Sequence, residues 1–437
     1  MTRAALLAGA AAAALLPGAP LGAAVPLVAA LVAAAVVRTA RPPRGAAVLG
    51  LVALALTGVA ALRDATWLVV LDLVGAWVVA TVAIGAGGAL APFAPLVRLV
   101  TERRRFSRPP LAGAPAVRGL VLGSVVVAPF AGLFLSADAA FAELAAQIPA
   151  PSAASLLGRA FTLVVVAGAA AGLALAAARP LARRTLRPWW PRAAEPLEWL
   201  LPLGLLNALF ALFVGVQIAV LFGGHDHVLR TAGLTYSEYA REGFWQLLVA
   251  AGLTLAVVAA GVTYVHPRTR RESILMRAGV SLLVLLTLIV LASALRRLWL
   301  YEEAYGLTRA RLTGEAVLFT VGALLVLAAA AVLVPRLRPA APTVAVAIFG
   351  CALLMFSIAN PDARIAAAAV ERHDEGAEID LDYLSGLSAD AVPELVRLPE
   401  PAAKDALRRT RERLEREDPW TSWNASRERA RDLLSVL

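Results

Sequence analysis

Two histidines separated by one residue are the clearest metal-ligand signal in the sequence. His225 and His227 flank Asp226, and imidazole and carboxylate groups both bind transition metals. A zinc site requires three or four protein ligands, which this segment does not supply alone. Cys351 is the only cysteine, which excludes an intramolecular disulfide and a cysteine-ligated metal cluster. His225 and His227 are therefore weak candidates, and we predict no metal and no other cofactor.

The residues after the histidine pair predict a short helix at a membrane surface. Thr235 and Glu238 have the spacing of a capping box, and Glu238 and Arg241 are close enough on a helix to pair. Aromatic residues that would anchor this helix in the interface are Tyr236, Tyr239, Phe244 and Trp245.

Arginine, tyrosine and carboxylate residues gather in several connections between apolar segments. Arginine holds phosphate or carboxylate with two parallel hydrogen bonds, so we expect Arg296 or Arg297 to pair with an acid, Glu238 first. The candidate polar cluster, which we predict on the extracytoplasmic face, consists of Asp138, Glu238, Tyr239, Arg241, Arg296, Arg297, Tyr301, Tyr305, Arg309, Asn360 and Asp362. It forms either a binding site assembled from separate connections or a polar cap on which the C-terminal residues sit.

Three polar residues lie inside apolar segments. Asp72 is either a carboxylate near the interface that bonds to a neighbouring helix or an ion- or proton-linked group. Asn207 and Gln217 share one segment. We interpret them as hydrogen-bonding links between helices rather than as ligand groups.

Composition predicts the elements that position these residues. Of the 437 residues 60% are hydrophobic, and the mean hydropathy is +0.74. A helix needs about 20 apolar residues to cross a hydrocarbon core. Spans are predicted at 21–37, 46–62, 67–90, 117–135, 158–178, 197–222, 244–265, 274–295, 315–334 and 343–359. The short stretch 4–16 is an eleventh span, a re-entrant segment or a signal-peptide core, and we favour an uncleaved first span.

The basic residues orient these spans. The net charge is +10, and Lys404 is the only lysine, a bias that suggests a GC-rich bacterial genome. One set of alternate connections holds eighteen arginines and the other holds seven. The richer set is predicted to face the cytoplasm of a bacterial inner membrane and to meet anionic headgroups. Because the arginines lie in short connections, we predict no nucleic-acid partner.

The predicted fold is therefore all-α. It is a polytopic transmembrane helix bundle of about ten or eleven spans in residues 1–360, with a small helical tail outside the cytoplasm in 361–437. The tail is predicted to contain helices at 388–398, 402–417 and 425–437. Residues 380–398 have too few large apolar side chains to fold alone, so we expect them to dock on connections 223–243 and 296–314. Trp420 and Trp423 either rest at the membrane interface or pack within the tail.

Several short motifs follow one another between residues 117 and 393. They are Arg118-Gly-Leu, Ser136-Ala-Asp138-Ala-Ala-Phe141, Gln217, Leu221-Phe-Gly-Gly224, Leu234-Thr-Tyr-Ser-Glu-Tyr-Ala-Arg241, Gly243-Phe244, Ser293-Ala-Leu-Arg-Arg297, Tyr301, Tyr305-Gly-Leu-Thr-Arg309, Asn360-Pro-Asp362, Leu381-Asp-Tyr-Leu384 and Asp390-Ala-Val-Pro393. In this order they resemble an uncharacterised bacterial membrane family, domain of unknown function 4153/4173. The resemblance implies an integral membrane protein and supplies no reaction, substrate or catalytic residue.

Two classes of function fit these observations. The first is a non-enzymatic membrane protein of the envelope, either a transporter or a sensor or assembly factor. The second is a membrane-embedded enzyme that acts on envelope lipids or glycans at the outer face, where arginines would hold phosphate and a carboxylate would act as base. The sequence contains no P-loop, no zincin motif and no nucleophile elbow, so we favour the first class.

Overall fold

The computed structural model describes residues 2–16, 20–39, 46–84, 267–415 and 417–436, together with individual residues and short stretches between 166 and 261. Those residues form helices, turns and short connections, and they contain no strand. The physical reason is their composition: long runs of Ala, Leu and Val combine good helix formers with enough hydrophobicity to lie in lipid. The predicted all-α membrane fold is confirmed.

The described helices follow one another in chain order. They are α1 (Thr2–Leu15), α2 (Ala24–Thr39), α3 (Ala46–Leu62), α4 (Thr66–Ala83), α5 (Arg270–Tyr305), α6 (Arg309–Leu333), α7 (Ala341–Ile358), α8 (Pro361–Asp374), α9 (Leu381–Ser385), α10 (Val392–Leu395), α11 (Glu400–Leu414) and α12 (Ala425–Leu434). Single 3₁₀ turns cover Pro335–Leu337, Ala389–Ala391 and Trp420–Ser422.

Four described helices are long and apolar enough to cross a membrane, namely α4, α5, α6 and α7. Shorter apolar helices cover Ala24–Val37, Ala46–Leu62, Leu206–Gly215 and Ala250–Ala259. With 36 residues, α5 is about 54 Å long, so it extends beyond a hydrocarbon core of about 30 Å. The predicted spans 117–135 and, apart from residue 166, 158–178 lie outside the described residues.

The chain divides into two compact units, one made of Met1–Arg183 with Leu381–Leu437 and the other of Arg184–Asp380. In the second unit, α5 and α6 form an antiparallel hairpin and α7 packs on α6. Buried leucines such as Leu283 and Leu325 form its core. The side-chain amide of Asn207 donates to the Gly279 carbonyl of α5, 3.0 Å away, which confirms its predicted role as a link between helices. The predicted boundary between 360 and 361 stays a prediction.

In the first unit, α3 and α4 form a tightly packed hairpin, with α2 against α3 and α1 against α2. Asp72 lies within α4 and is completely buried. Side chains and backbone amides between residues 388 and 427 make polar contacts with the end of this hairpin where α3 ends and α4 begins. In residues 380–398, five large apolar side chains are buried: Leu384, Leu387, Val392, Leu395 and Leu398.

The predicted tail helices were partly right. The segment predicted as one helix at 388–398 is a 3₁₀ turn followed by the single turn α10. Pro393 favours a new helix start inside this segment, and the residues between it and Pro399 are too few for a longer helix. Those predicted at 402–417 and 425–437 correspond to α11 and α12.

Candidate functional site

Part of the predicted polar cluster falls on residues that the structure does not describe. Asp138, Glu238, Tyr239 and Arg241 lie outside the described residues, as do His225 and His227. Arg296, Arg297, Tyr301, Tyr305, Arg309, Asn360 and Asp362 are described and all belong to the unit Arg184–Asp380. Within the described part of the chain, no three His, Cys, Asp or Glu side chains are grouped to hold a metal ion.

Arg309 and Asp362 form a two-bond ion pair. Nε of Arg309 donates to one oxygen of Asp362 over 2.8 Å, and Nη2 donates to the other over 2.6 Å. The Asp362 side chain is fully buried, whereas Arg309 remains one-third exposed. The pair joins the first residue of α6 to the first turn of α8. Because both oxygens of the carboxylate are bonded to one planar guanidinium, the relative position of these two helix starts is fixed.

Asn360 makes the sharp corner between α7 and α8. Its backbone has φ of +54° and ψ of +74°, in the left-handed region, which asparagine tolerates better than most residues. Its side-chain oxygen accepts from the Ala363 amide at the start of α8, and Pro361 occupies the first helical position. The Asn360-Pro-Asp362 motif therefore consists of a corner, a helix start and the buried ion-pair partner.

The C-terminal end of α5 is capped by arginines. Helix ends leave backbone carbonyls without helical partners, and Nη1 of Arg372 donates to the Glu303 carbonyl over 2.9 Å. Arg311 donates to the Gly306 carbonyl. Gly306 has φ of +76°, a conformation that glycine adopts without the clash of a Cβ atom.

Two of the predicted tyrosines meet at this end of α5. The rings of Tyr301 and Tyr305 lie 4.8 Å apart and are tilted. The guanidinium carbon of Arg311 lies 4.2 Å from the centre of the Tyr301 ring, which is the geometry of a cation–π contact. The Tyr301 ring thus packs against Arg311, which also caps the end of α5.

Glu302 carries a buried carboxylate oxygen without a hydrogen-bond partner, and it is the one such carboxylate oxygen among the described residues. Its Oε1 atom is buried and accepts no hydrogen bond from any described residue. Glu315, Arg311 and Arg364 are close enough to interact with it electrostatically. Glu315 itself accepts from the Trp299 indole over 3.2 Å. Arg296 is exposed and Arg297 half-buried, and the predicted pairing of either with Glu238 stays a prediction.

A second polar centre lies in the other unit and was missed by the predicted cluster. Asp390 lies in the 3₁₀ turn Ala389–Ala391, is 3% exposed, and reaches the connection between α3 and α4. Its Oδ2 atom accepts from the backbone amides of Asp64 and Ala65, at 2.8 and 3.0 Å. Asp390 therefore supplies acceptors for the unpaired amides at the start of α4.

The Asp64 carboxylate in turn accepts a backbone hydrogen bond from the segment that contains Asp390. One oxygen of its carboxylate accepts from the Ala389 amide over 3.0 Å, and the other accepts from Nη1 of Arg427 over 2.8 Å. Arg427 is itself buried, and its Nε donates to Asp418 over 2.7 Å. Asp418 also accepts from Arg431. Each charge in this centre thus faces an opposite charge, as burial requires.

Ser426 links Asp390 to the backbone of the hairpin. Its hydroxyl oxygen lies 2.9 Å from the Leu62 carbonyl and within hydrogen-bond distance of Asp390 Oδ1. A hydroxyl has one hydrogen and two acceptors here. That hydrogen is donated either to Asp390 Oδ1 or to the Leu62 carbonyl, and Ser426 is the donor in both bonds. Burial raises the pKa of Asp390, opposed by the hydrogen bonds from Ser426, Ser388 and the Asp64 amide and by the Arg63 charge.

Asn424 completes this centre. Its side-chain amide donates to the carbonyls of Ala60 and Arg63, at 3.0 and 2.8 Å, while its oxygen caps α12 by accepting from the amides of Ser426 and Arg427. We name the centre formed by Asp64, Asp390, Asn424, Ser426 and Arg427 the hairpin clamp.

The hairpin clamp adds a contact of the tail that was not predicted, whereas the predicted docking on 223–243 and 296–314 stays a prediction. Connection 223–243 lies outside the described residues, and 296–314 belongs to the other unit. The polar contacts described for residues 388–427 run to 60–65. The physical reason is that both helix ends of the hairpin present unpaired backbone groups there. The one signal for it was Asp390 in the motif Asp390-Ala-Val-Pro393, because nothing in the sequence marks its partners more than 300 residues away.

Comparison with known proteins identifies a family for this chain. The family described as "Domain of unknown function (DUF4153)" matches residues 23–398, a range that includes the α3–α4 hairpin, both helix starts of the Arg309–Asp362 pair and Asp390. No curated protein and no solved structure matches the chain. The predicted resemblance is confirmed: this membrane protein belongs to the family defined by the domain of unknown function DUF4153.

Proposed function

We propose that the chain is a non-enzymatic, multi-pass protein of a bacterial inner membrane, a transporter or a sensor or assembly factor of the envelope. Its C-terminal tail lies outside the cytoplasm, and its arginine-rich connections face the cytoplasm and bind anionic lipid headgroups. The excess of arginines in one set of alternate connections supports this orientation.

One observation carries the non-enzymatic assignment. Two buried charged groups at the described helix ends are bonded to opposite charges: Asp362 to Arg309, and Arg427 to Asp64 and Asp418. A catalytic acid or base must reach a proton on its substrate. Carboxylates with both oxygens held by arginine or backbone amides are instead suited to fixing helix ends, and so to a protein that works through its shape.

One feature favours the alternative, a membrane-embedded enzyme that acts on envelope lipids or glycans. The Glu302 oxygen without a described partner lies near Glu315 and two arginines. A carboxylate beside guanidinium groups is the arrangement that phosphate-linked substrates require for proton transfer and binding.

A complementation experiment separates the two. A strain lacking the gene is profiled for envelope lipids and metabolites, then complemented with the wild type, Glu302→Gln, or the exposed neighbour Glu303→Gln as matched control. Under our proposal, all three restore the wild-type profile equally. The enzyme alternative requires Glu302→Gln to leave the deletion profile unchanged at normal protein level.

A second variant tests whether function depends on the fixed helix ends. Arg427→Met removes the charge at the centre of the hairpin clamp and leaves Glu302 untouched. We expect it to lose complementation while the protein still inserts in the membrane. Full complementation by Arg427→Met, combined with loss in Glu302→Gln, would reverse the assignment.

A further inference from the structure

Two exposed tryptophans lie beside the hairpin clamp. Trp420 begins the 3₁₀ turn Trp420–Ser422 and is 65% exposed, and Trp423, which follows the turn, is 46% exposed. Large aromatic side chains are usually mostly buried in a protein that meets only water. Neither ring is needed to hold the turn, because its bonds run through the backbone: Ser422 donates to Pro419, and Trp423 to Trp420.

The turn is fixed against the ends of apolar helices. The Ala23 amide, immediately before α2, donates to the Trp423 carbonyl over 2.9 Å. A Cβ atom on Gly22 would lie 2.4 Å from the Ser422 backbone, so only glycine permits this approach. The next residue, Asn424, bonds to the Ala60 carbonyl in the last turn of α3. The tryptophans therefore lie within about one helical turn of the ends of α2 and α3.

A candidate membrane span begins at the same level. The candidate span α4 begins at Thr66, four residues after the end of α3, and exposed apolar side chains start immediately on the helices below: Leu27 on α2 is 48% exposed and Leu62 at the end of α3 is 54% exposed. Burial of such side chains in hydrocarbon or at its edge is favourable. Tryptophan is enriched in the headgroup layer because its ring is apolar and its indole N–H needs a polar partner.

We propose that Trp420 and Trp423 insert into the lipid headgroup layer beside the ends of α2 and α3. The tail is then held by two surfaces, the hairpin clamp on the bundle and the two indole rings on the bilayer. The partner of this surface is the membrane interface itself. The inference goes beyond the proposed function and holds for a transporter, a sensor or an enzyme alike.

The test uses the full chain in liposomes of phosphatidylethanolamine and phosphatidylglycerol. In a Cys351→Ser background, a cysteine replaces Trp420 or Trp423 and carries an environment-sensitive fluorophore. Glu412→Cys on the exposed side of α11 is the matched control. We expect a blue shift and quenching by nitroxide-labelled headgroups at both tryptophan positions, and quenching by iodide in the water phase at Glu412.

Iodide quenching at 420 and 423 equal to that at 412, with no effect of headgroup nitroxides, would overturn the proposal. Stronger quenching by nitroxides deep in the acyl chains than at the headgroups would overturn it equally. Because a displaced tail would also change these values, each labelled protein is digested with trypsin. A tail digested as slowly as in the Cys351→Ser parent shows that the clamp is intact.

Discussion

Asp64 and Asp390 each accept a backbone hydrogen bond from the other's segment. The Asp64 amide donates to Asp390 over 2.8 Å, and the amide of Ala389, next to Asp390, donates to Asp64 over 3.0 Å. The two carboxylates differ in their other neighbours. Asp64 faces the buried guanidinium of Arg427, whereas Arg63 approaches Asp390 only to 3.7 Å. These two hydrogen bonds fix the connection between α3 and α4 against the 3₁₀ turn Ala389–Ala391.

Arg427→Met is expected to release the tail from the α3–α4 hairpin. The substitution removes the buried Arg427 charge from the mostly buried carboxylates of Asp64 and Asp418, of which Asp418 keeps Arg431, and this costs about 3–5 kcal/mol. Limited trypsin digestion of purified protein in detergent measures it, because the exposed arginines of α11 become cleavable at a higher rate. Arg411→Met, on the exposed side of α11, is the control and should change stability by less than about 0.5 kcal/mol. Equal digestion of both variants would contradict the clamp.

The stability of the tail should fall as pH rises through the raised pKa of Asp390. A carboxyl whose pKa is higher in the folded state stabilises that state fully below its unfolded pKa of about 3.9, and loses this contribution as pH rises through the folded value. Asp390→Asn reproduces the hydrogen bonds of the protonated acid, since its amide donates to Ser426. Thermal unfolding between about pH 4 and 8 should be flatter for this variant than for the wild type.

Two controls accompany the pH series. Asp382→Asn changes a 77% exposed carboxylate and should follow the wild-type curve. Asp418 acts with the opposite sign: burial raises its pKa, but hydrogen bonds from Arg431 and Arg427 outweigh this and lower it. Its contribution is present above the ordinary carboxyl pKa and lost as pH falls through the lowered value. Strong destabilisation of Asp390→Asn at every pH would show that the clamp requires the ionised carboxylate.

Arg309→Lys should destabilise the unit Arg184–Asp380 nearly as much as Arg309→Met. Lysine carries the charge but lacks the planar fork that bonds both oxygens of buried Asp362, so each variant should cost about 3–5 kcal/mol. Thermal unfolding in detergent measures the loss. The exposed pair of Arg397 and Glu394 provides the control, because Arg397→Lys should cost less than about 1 kcal/mol. A lysine variant as stable as the wild type would show that charge alone suffices.

Two substitutions of Asn360 separate the free-energy cost of its left-handed backbone from that of its helix cap. Asn360→Gly keeps the left-handed conformation and loses only the cap to Ala363, a cost of a few tenths of a kcal/mol. Asn360→Ala loses the cap and adds left-handed strain, together about 2–3 kcal/mol. The order of the apparent melting temperatures should therefore be wild type, Gly, Ala. Alanine at or above glycine would exclude a left-handed corner.

Cysteine labelling tests the proposed orientation. In a Cys351→Ser background, Glu412→Cys on α11 should react with an impermeant thiol reagent added to intact spheroplasts. Arg336→Cys, in the exposed turn between α6 and α7, should react only after the membrane is opened. Reaction of Arg336→Cys alone in intact spheroplasts would invert the orientation.

The sequence predicted what depends on local composition and missed what depends on distant partners. The span predicted at 46–62 coincides with α3, because an apolar run has the same length as the helix that it forms. Asp362 and Arg309 were both named as cluster members, but their pairing was not, because residues 53 positions apart have no shared local pattern. The hairpin clamp was missed for the same reason, and backbone acceptors such as the Ala60 carbonyl have no side-chain signature at all.

The Asn424 bonds also set an order of assembly. Asn424 is 364 positions after Ala60. The ribosome therefore makes the α3–α4 hairpin long before it makes Asn424, which bonds to the end of that hairpin. At about 5–20 residues per second, the carbonyls at the end of α3 keep water as their partner for tens of seconds. A prematurely terminated chain leaves that hairpin end open, with apolar helices and unpaired carbonyls side by side. The α3–α4 hairpin therefore gains these backbone partners only after Asn424 has been made, so chains that stop before and after Asn424 differ at that hairpin end.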